Sequence, residues 1–189
     1  MKKLDEEKNL DLIAEMISRA KGNIQSEYIF FLIWGWVIAL ASFLHYSLIK
    51  FTNFERPELA WSLIVIGVIL SAWYGYKIGK RKRVKTYADR IYGLIWLVFL
   101  INYFIVLFFM KDINYNVTPI ILLMAGGSTF LSGIVIKFKP LIWGGIVLWI
   151  SAIISFIVPG EMQLLIGGFS ILIGYLIPGY MLKNKNKNE

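Results

Sequence analysis

Apolar positions in this chain gather into six long runs, separated by short polar segments. The runs cover about 28–49, 59–78, 91–110, 117–136, 140–158 and 162–182, and none holds Asp, Glu, Lys or Arg except Lys77 at the edge of the second. An α-helix needs roughly 20 apolar residues to cross a hydrocarbon layer about 30 Å thick. Each run therefore predicts one membrane span. The predicted fold class is all-α, a polytopic membrane protein with a six-helix transmembrane domain over 28–182. The turns at Lys137-Phe138-Lys139 and Pro159-Gly160-Glu161 are very short, so the helices they join must run antiparallel and touch.

Residues 1–27 follow a different pattern. In 4–24, LDEEKNLDLIAEMISRAKGNI, the residues Leu10, Ile13, Ile17, Ala20 and Ile24 recur every three or four positions, and Leu12 and Met16 widen the stripe. Glu and Lys hold the other face. This predicts an amphipathic helix ending near Gly22-Asn23. Two roles are open for it: lying on the membrane surface or the bundle, and docking another protein. Mixed charges before a full-length span predict an uncleaved start rather than a signal peptide.

The six spans read as three hairpins. Odd spans carry Leu-Ile-Trp near one end (Leu32-Ile33-Trp34, Leu94-Ile95-Trp96, Leu141-Ile142-Trp143). Even spans carry glycine pairs: Gly67 and Gly75, Gly126 and Gly133, Gly167 and Gly174, with Gly127 and Gly168 beside them. Small residues let helices approach closely in lipid, where packing replaces the hydrophobic drive. These eight glycines are the expected helix-packing positions, and an oligomer interface or a substrate groove would be rival uses. Pro178 should kink the last span.

Charge supplies orientation. Hydrophobic residues make up 58% of the 189-residue chain, charged ones 17%, and mean hydropathy is +0.65. Seventeen Lys and Arg fall in 1–27, 77–90, 137–139 and the 183–189 tail; three, Lys50, Arg56 and Lys111, fall on the other side. Lys and Arg stay cytoplasmic, which predicts cytoplasmic termini. The cluster Lys80, Arg81, Lys82, Arg83 and Lys85 is then a topology signal that also attracts anionic lipid headgroups. It is too short and too near the bilayer to bind nucleic acid.

Candidate chemistry is sparse. The chain has no Cys and a single His, which excludes disulfides, thiolate sites and a bis-histidine haem within one chain. No cofactor and no metal site are expected. Intramembrane polar residues are His45 near one end of the first span, Asn102 near the middle of the third, and Ser128 with Thr129, Ser151 and Ser155. Asn102 is expected to hydrogen-bond a neighbouring helix, and His45 to be a satisfied interfacial imidazole rather than a proton site. Mid-membrane charge, the usual mark of ion-coupled carriers, is absent from the spans. Gly126-Gly127-Ser128-Thr129 and Leu131-Ser132-Gly133 each miss the Gly-x-Ser-Gly nucleophile motif of rhomboid proteases. At about 1.5 Å per residue, Ser128 also lies roughly 10 Å deeper than His45, beyond the reach of a nucleophile–base pair.

The charged amphipathic start, FFLIWGWVIALASFLHY, KRKRVKTY and KFKPLIWGGIVLWI together resemble the six-span inner-membrane proteins of bacteria to which no activity is attached. In plan alone, the hairpins are similar to acid-resistance membrane proteins built from two-helix repeats. The resemblance implies a bacterial inner-membrane location and brings no site residues. The expected function is non-enzymatic: a membrane protein whose cytoplasmic face engages anionic lipid headgroups or a regulatory partner through 4–24. Alternatives are a small transporter or channel for a neutral or amphiphilic solute, and an accessory subunit of a larger complex. A homo-oligomer is also open.

Overall fold

The structure, a computed structural model, describes residues 28–81 and 87–188. The predicted amphipathic helix at 4–24 and the side chains of Lys82, Arg83 and Lys85 lie outside those residues. In chain order the elements are α1 (Tyr28–Phe51), a 3₁₀ turn (Pro57–Ser62), α2 (Leu63–Arg81), α3 (Tyr87–Phe108), α4 (Val117–Ile136) and α5 (Lys139–Ile157). The last span comprises α6 (Gly160–Ile171), a π-turn (Leu172–Leu176) and α7 (Ile177–Asn188). The described residues thus hold six helices long and apolar enough to cross a membrane.

Helix ends follow local chemistry. The second span opens with the 3₁₀ turn because Pro57, which has no N–H, starts it. The third begins at Tyr87, four residues before its apolar run, because Asp89 suits the positive N-terminal end of a helix. Helix α4 closes on Lys137 in the left-handed region (φ 55°), with Lys137 N–H on the Ile134 carbonyl (3.1 Å) and Phe138 N–H on that of Gly133 (2.9 Å). That is a Schellman closure, which lets the chain reverse within three residues.

The core forms from four spans. In the last span 56% of the apolar stretch is buried and in α4 44%, against 11% for α2 and 6% for α3. Helix α5 lies against α4 on one side and the last span on another, and α1 lies against the last span. Helix α2 packs on α1, and α3 on α4.

Glycines set how near these helices come. A Cβ on Gly145 would stand 2.7 Å from the Gly126 carbonyl oxygen, and one on Gly133 2.7 Å from the Ile142 nitrogen. The pairing of 126 with 145 and 133 with 142 fixes α4 and α5 as antiparallel. On the other side of α5, a Cβ on Gly144 would collide with the Gly174 carbonyl oxygen, and one on Gly174 would stand 3.0 Å from the Gly144 carbonyl oxygen. Two backbones therefore touch with nothing between them.

The π-turn explains why Gly174 is the contact point. Pro178 has no N–H, so the Gly174 carbonyl lacks the donor that position i+4 would supply. The Ile177 N–H instead reaches back five residues to Leu172. This one-residue slip accommodates the proline. It also leaves the Gly174 carbonyl against the Cα of Gly144, where a weak C–H···O contact can form.

The far end of the bundle is tied by side chains. Gln163, buried at the start of α6, donates from Nε2 to Asn116 Oδ1 at the start of α4 (3.1 Å). Lys50 pairs with Glu161 at 3.5 Å, with both side chains about half exposed. Such an exposed pair contributes little.

Gly144→Ala should lower stability by about 2 kcal/mol, since the new methyl meets a carbonyl that cannot withdraw. Gly79→Ala should cause no loss, because nothing lies within 4 Å of its Cβ position and alanine favours helix. Thermal unfolding of the two variants in mild detergent measures the difference.

Candidate functional site

The basic end of the bundle combines lysines with aromatic rings. On α2, Lys77 Nζ lies 5.3 Å from the centre of the Trp73 ring, and Lys80 Nζ 4.5 Å from that of Tyr76. In α7, Lys183 lies 5.8 Å from the Tyr180 ring, and Lys185 5.9 Å from Phe138 in the α4–α5 turn. Three of the four pairs are helical neighbours at i,i+3 or i,i+4. A count of charge along the sequence registers these lysines and not the rings beside them. The signal was there: aromatic three or four positions before lysine, at the end of an apolar run. The Tyr180 hydroxyl accepts from Trp36 Nε1 at 3.1 Å, which fixes this ring between α1 and α7. Trp73, Tyr76, Tyr87 and Trp143 are all exposed at this end.

Such a rim suits the membrane–water boundary. Indole and phenol rings lie at headgroup depth. The lysine ammonium groups lie over the ring faces, as cation–π contacts. Of the predicted basic cluster, Lys80 belongs to this rim and Arg81 ends α2.

The intramembrane residues are dispersed. His45 Nδ1 accepts a hydrogen bond from Trp61 Nε1 at 2.9 Å, with the two rings edge to face. The pair staples the 3₁₀ turn to α1 at the far end. Ser128 is buried in α4. Asn102 departs from expectation: its Nδ2 donates to the Val98 carbonyl of its own helix at 2.9 Å, and the side chain is exposed. Its side of α3 has no neighbouring helix to accept the bond.

The predicted glycines divide into close and loose contacts. At Gly126, Gly133, Gly168 and Gly174 an added Cβ would stand less than 3.0 Å from a neighbour, and at Gly167 it would stand 3.2 Å from Thr118. At Gly67 the nearest atom is 3.4 Å away, and at Gly75 and Gly127 it is 3.9 Å away. Gly144 and Gly145, adjacent in an odd span, make close backbone contacts on two sides, which a pattern of spaced pairs in the even spans does not mark. The three tryptophans of the Leu-Ile-Trp triplets have unlike surroundings. Trp34 faces Gly67, Trp96 is packed among rings, and Trp143 is exposed.

No family model, curated protein or solved structure matches the chain.

A second group of polar atoms lies inside the basic half. Tyr175, within the π-turn, packs edge to face on Phe31 (5.4 Å) and Trp96 (6.3 Å). Thr129 Oγ1, on α4, is buried and completes no hydrogen bond. Ser132 Oγ and Trp96 Nε1 are likewise buried without partners, as is Ser155 Oγ near the far end of α5. These are neutral groups: the hydroxyls can donate and accept, and the indole N–H can only donate. The glycine contacts leave α5 closed on both sides. Among the described residues no three His, Asp or Glu side chains gather. The open concavity of about 360 Å³ at Asn53, Phe54, Glu55, Arg56 and Leu59 is walled by one loop only.

Trp61→Phe should cost about 1–2 kcal/mol, because it leaves the half-buried His45 Nδ1 without its donor. Thermal unfolding in detergent checks the loss. His45→Phe combined with Trp61→Phe should recover part of it, since both polar partners are then gone.

Proposed function

We propose that this is a non-enzymatic integral membrane protein of the bacterial inner membrane, with its basic end on the cytoplasmic side, where it engages anionic lipid headgroups. The observation that carries this reading is the lysine-over-aromatic rim on α2, α7 and the α4–α5 turn. Rings at headgroup depth place the ammonium groups where phosphate oxygens lie. The sequence extends the rim with Lys82, Arg83 and Lys85. The amphipathic segment 4–24 belongs to the same face in this reading, lying on lipid or receiving a regulatory partner, and the six spans form three hairpins. Each basic residue near an anionic surface contributes about 1 kcal/mol at physiological ionic strength.

Transport of a neutral solute along the glycine faces of the even spans has less support. Gly126, Gly133 and Gly174 are covered by Trp149, Ile142 and Leu148.

The test is lipid capture. Protein in mixed nanodiscs should retain phosphatidylglycerol or cardiolipin over phosphatidylcholine, and 0.5 M salt should weaken the preference. Changing Lys80, Arg81, Lys82, Arg83 and Lys85 together to Gln should reduce it at least tenfold without altering the melting temperature by more than a few degrees. An unchanged preference in that variant would overturn the proposal.

A further inference from the structure

Helix α3 carries a polar group where lipid offers it nothing. The nearest charges along the chain are Arg90 and Lys111, and Asn102 stands 12 residues after the first and nine before the second. That is the middle of the span. The side chain is exposed and spends one N–H on the Val98 carbonyl. A primary amide has a second N–H and a carbonyl oxygen with two lone pairs. Hydrocarbon can satisfy neither, and unpaired polar groups there are costly.

The residues around Asn102 form a seam. Ile91, Ile95, Val98, Asn102, Ile105 and Phe109 are spaced four, three, four, three and four apart. That is the a/d repeat by which two helices pack knobs into holes. The helix reaches this far because the Phe109 N–H still bonds the Ile105 carbonyl at 3.1 Å. Val98, Ile105 and Phe109 are 56%, 50% and 50% exposed. The inward face of α3 is different: Tyr92, Trp96, Phe99 and Tyr103 stack along it. At 100° per residue the seam lies about a quarter turn from that face. Ile91 and Ile95 are half-buried, and from Val98 to Phe109 the seam is exposed, so a partner there would leave the packing of α3 on the bundle intact.

We infer that the Asn102 seam of α3 is the interface of a parallel homodimer, in which the two Asn102 amides hydrogen-bond each other across the two-fold axis. A second copy is the occupant because the amide is self-complementary. It offers one free donor and one free acceptor, and a two-fold axis supplies the matching pair. Two copies inserted the same way in one bilayer are related by an axis along the membrane normal. Identical a and d positions then meet, and Asn102 faces Asn102. A single Asn at an a position fixes register and pairing in this way, and Asn bonds between helices are a known source of association in lipid.

The chain has no cysteine, so single substitutions read the interface without background. Val98→Cys and Ile105→Cys lie on the seam. Leu97→Cys and Phe104→Cys, at positions 51% and 60% exposed, lie off it. On mild oxidation in native membranes, the first two should form disulfide dimers and the second two should not, because facing d positions fall within disulfide reach. Adding Asn102→Val to Ile105→Cys should lower the dimer yield about threefold or more, and Asn102→Gln should restore part of it. Thermal unfolding of the monomer confirms that each variant is folded. Equal cross-linking at all four positions, or none on the seam, would overturn the inference. So would adducts of a mass other than twice the chain, or a dimer yield indifferent to Asn102→Val.

Discussion

The bundle depends on backbone approach at Gly144 and Gly145. In lipid, apolar side chains gain nothing by leaving solvent for one another, so association rests on packing, weak polar contacts and lipid entropy. Helix α5 meets α4 through Gly145 and Gly126, and meets the last span through Gly144 and Gly174. It is the shared wall of both contacts. Leu141, Leu148 and Ala152, on the same helix, are wholly buried beside them. The proline in the last span belongs to the same device. Pro178 removes a helical donor, the π-turn absorbs the offset, and the Gly174 carbonyl is left facing a residue without a side chain.

This closeness has two consequences for function. The core holds neutral hydroxyls and ring faces. Gly126, Gly133, Gly144, Gly145 and Gly174 are occupied by neighbouring helices. Polar chemistry therefore belongs to the surfaces: the lysine–aromatic rim at the basic end, and Asn102 on the lipid face of α3. The peripheral span α2 carries part of that rim, with α7 and the α4–α5 turn, and the peripheral span α3 carries Asn102. The backbone of α2 packs on α1 and that of α3 on α4, while the Trp96 ring of α3 also reaches Phe31 of α1 and Tyr175 of the last span. The outward sides of α2 and α3 remain free for headgroups at one depth and another helix at the next.

The spans were legible because charge is excluded from them. Where ends differ, a local effect decides: Pro57 opens a 3₁₀ turn, Asp89 favours an earlier start for α3, and α7 runs on through the lysines to Asn188. Contact was less legible. Spaced glycines in the even spans marked Gly126, Gly133 and Gly174 but also Gly75 and Gly127, where a Cβ would make only ordinary contact. Glycine reads the same whether or not a helix lies against it. Gly144-Gly145 was readable as an adjacent pair flanked by Leu141 and Leu148, yet its partners come from two different helices and no local pattern names them. Asn102 failed for the reverse reason. A mid-span Asn implies a partner, and only the arrangement of helices reveals that its side of α3 faces outward.

The closest test of this account is the backbone contact itself. Solid-state NMR of the protein in lipid bilayers, with Gly Cα and carbonyl carbons labelled, can detect dipolar coupling between Gly144 Cα and the Gly174 carbonyl carbon. The account predicts a strong cross-peak, lost when Gly144 is changed to Val. A well-folded protein without that cross-peak would contradict it, because α5 would then not be the wall on which the other helices close.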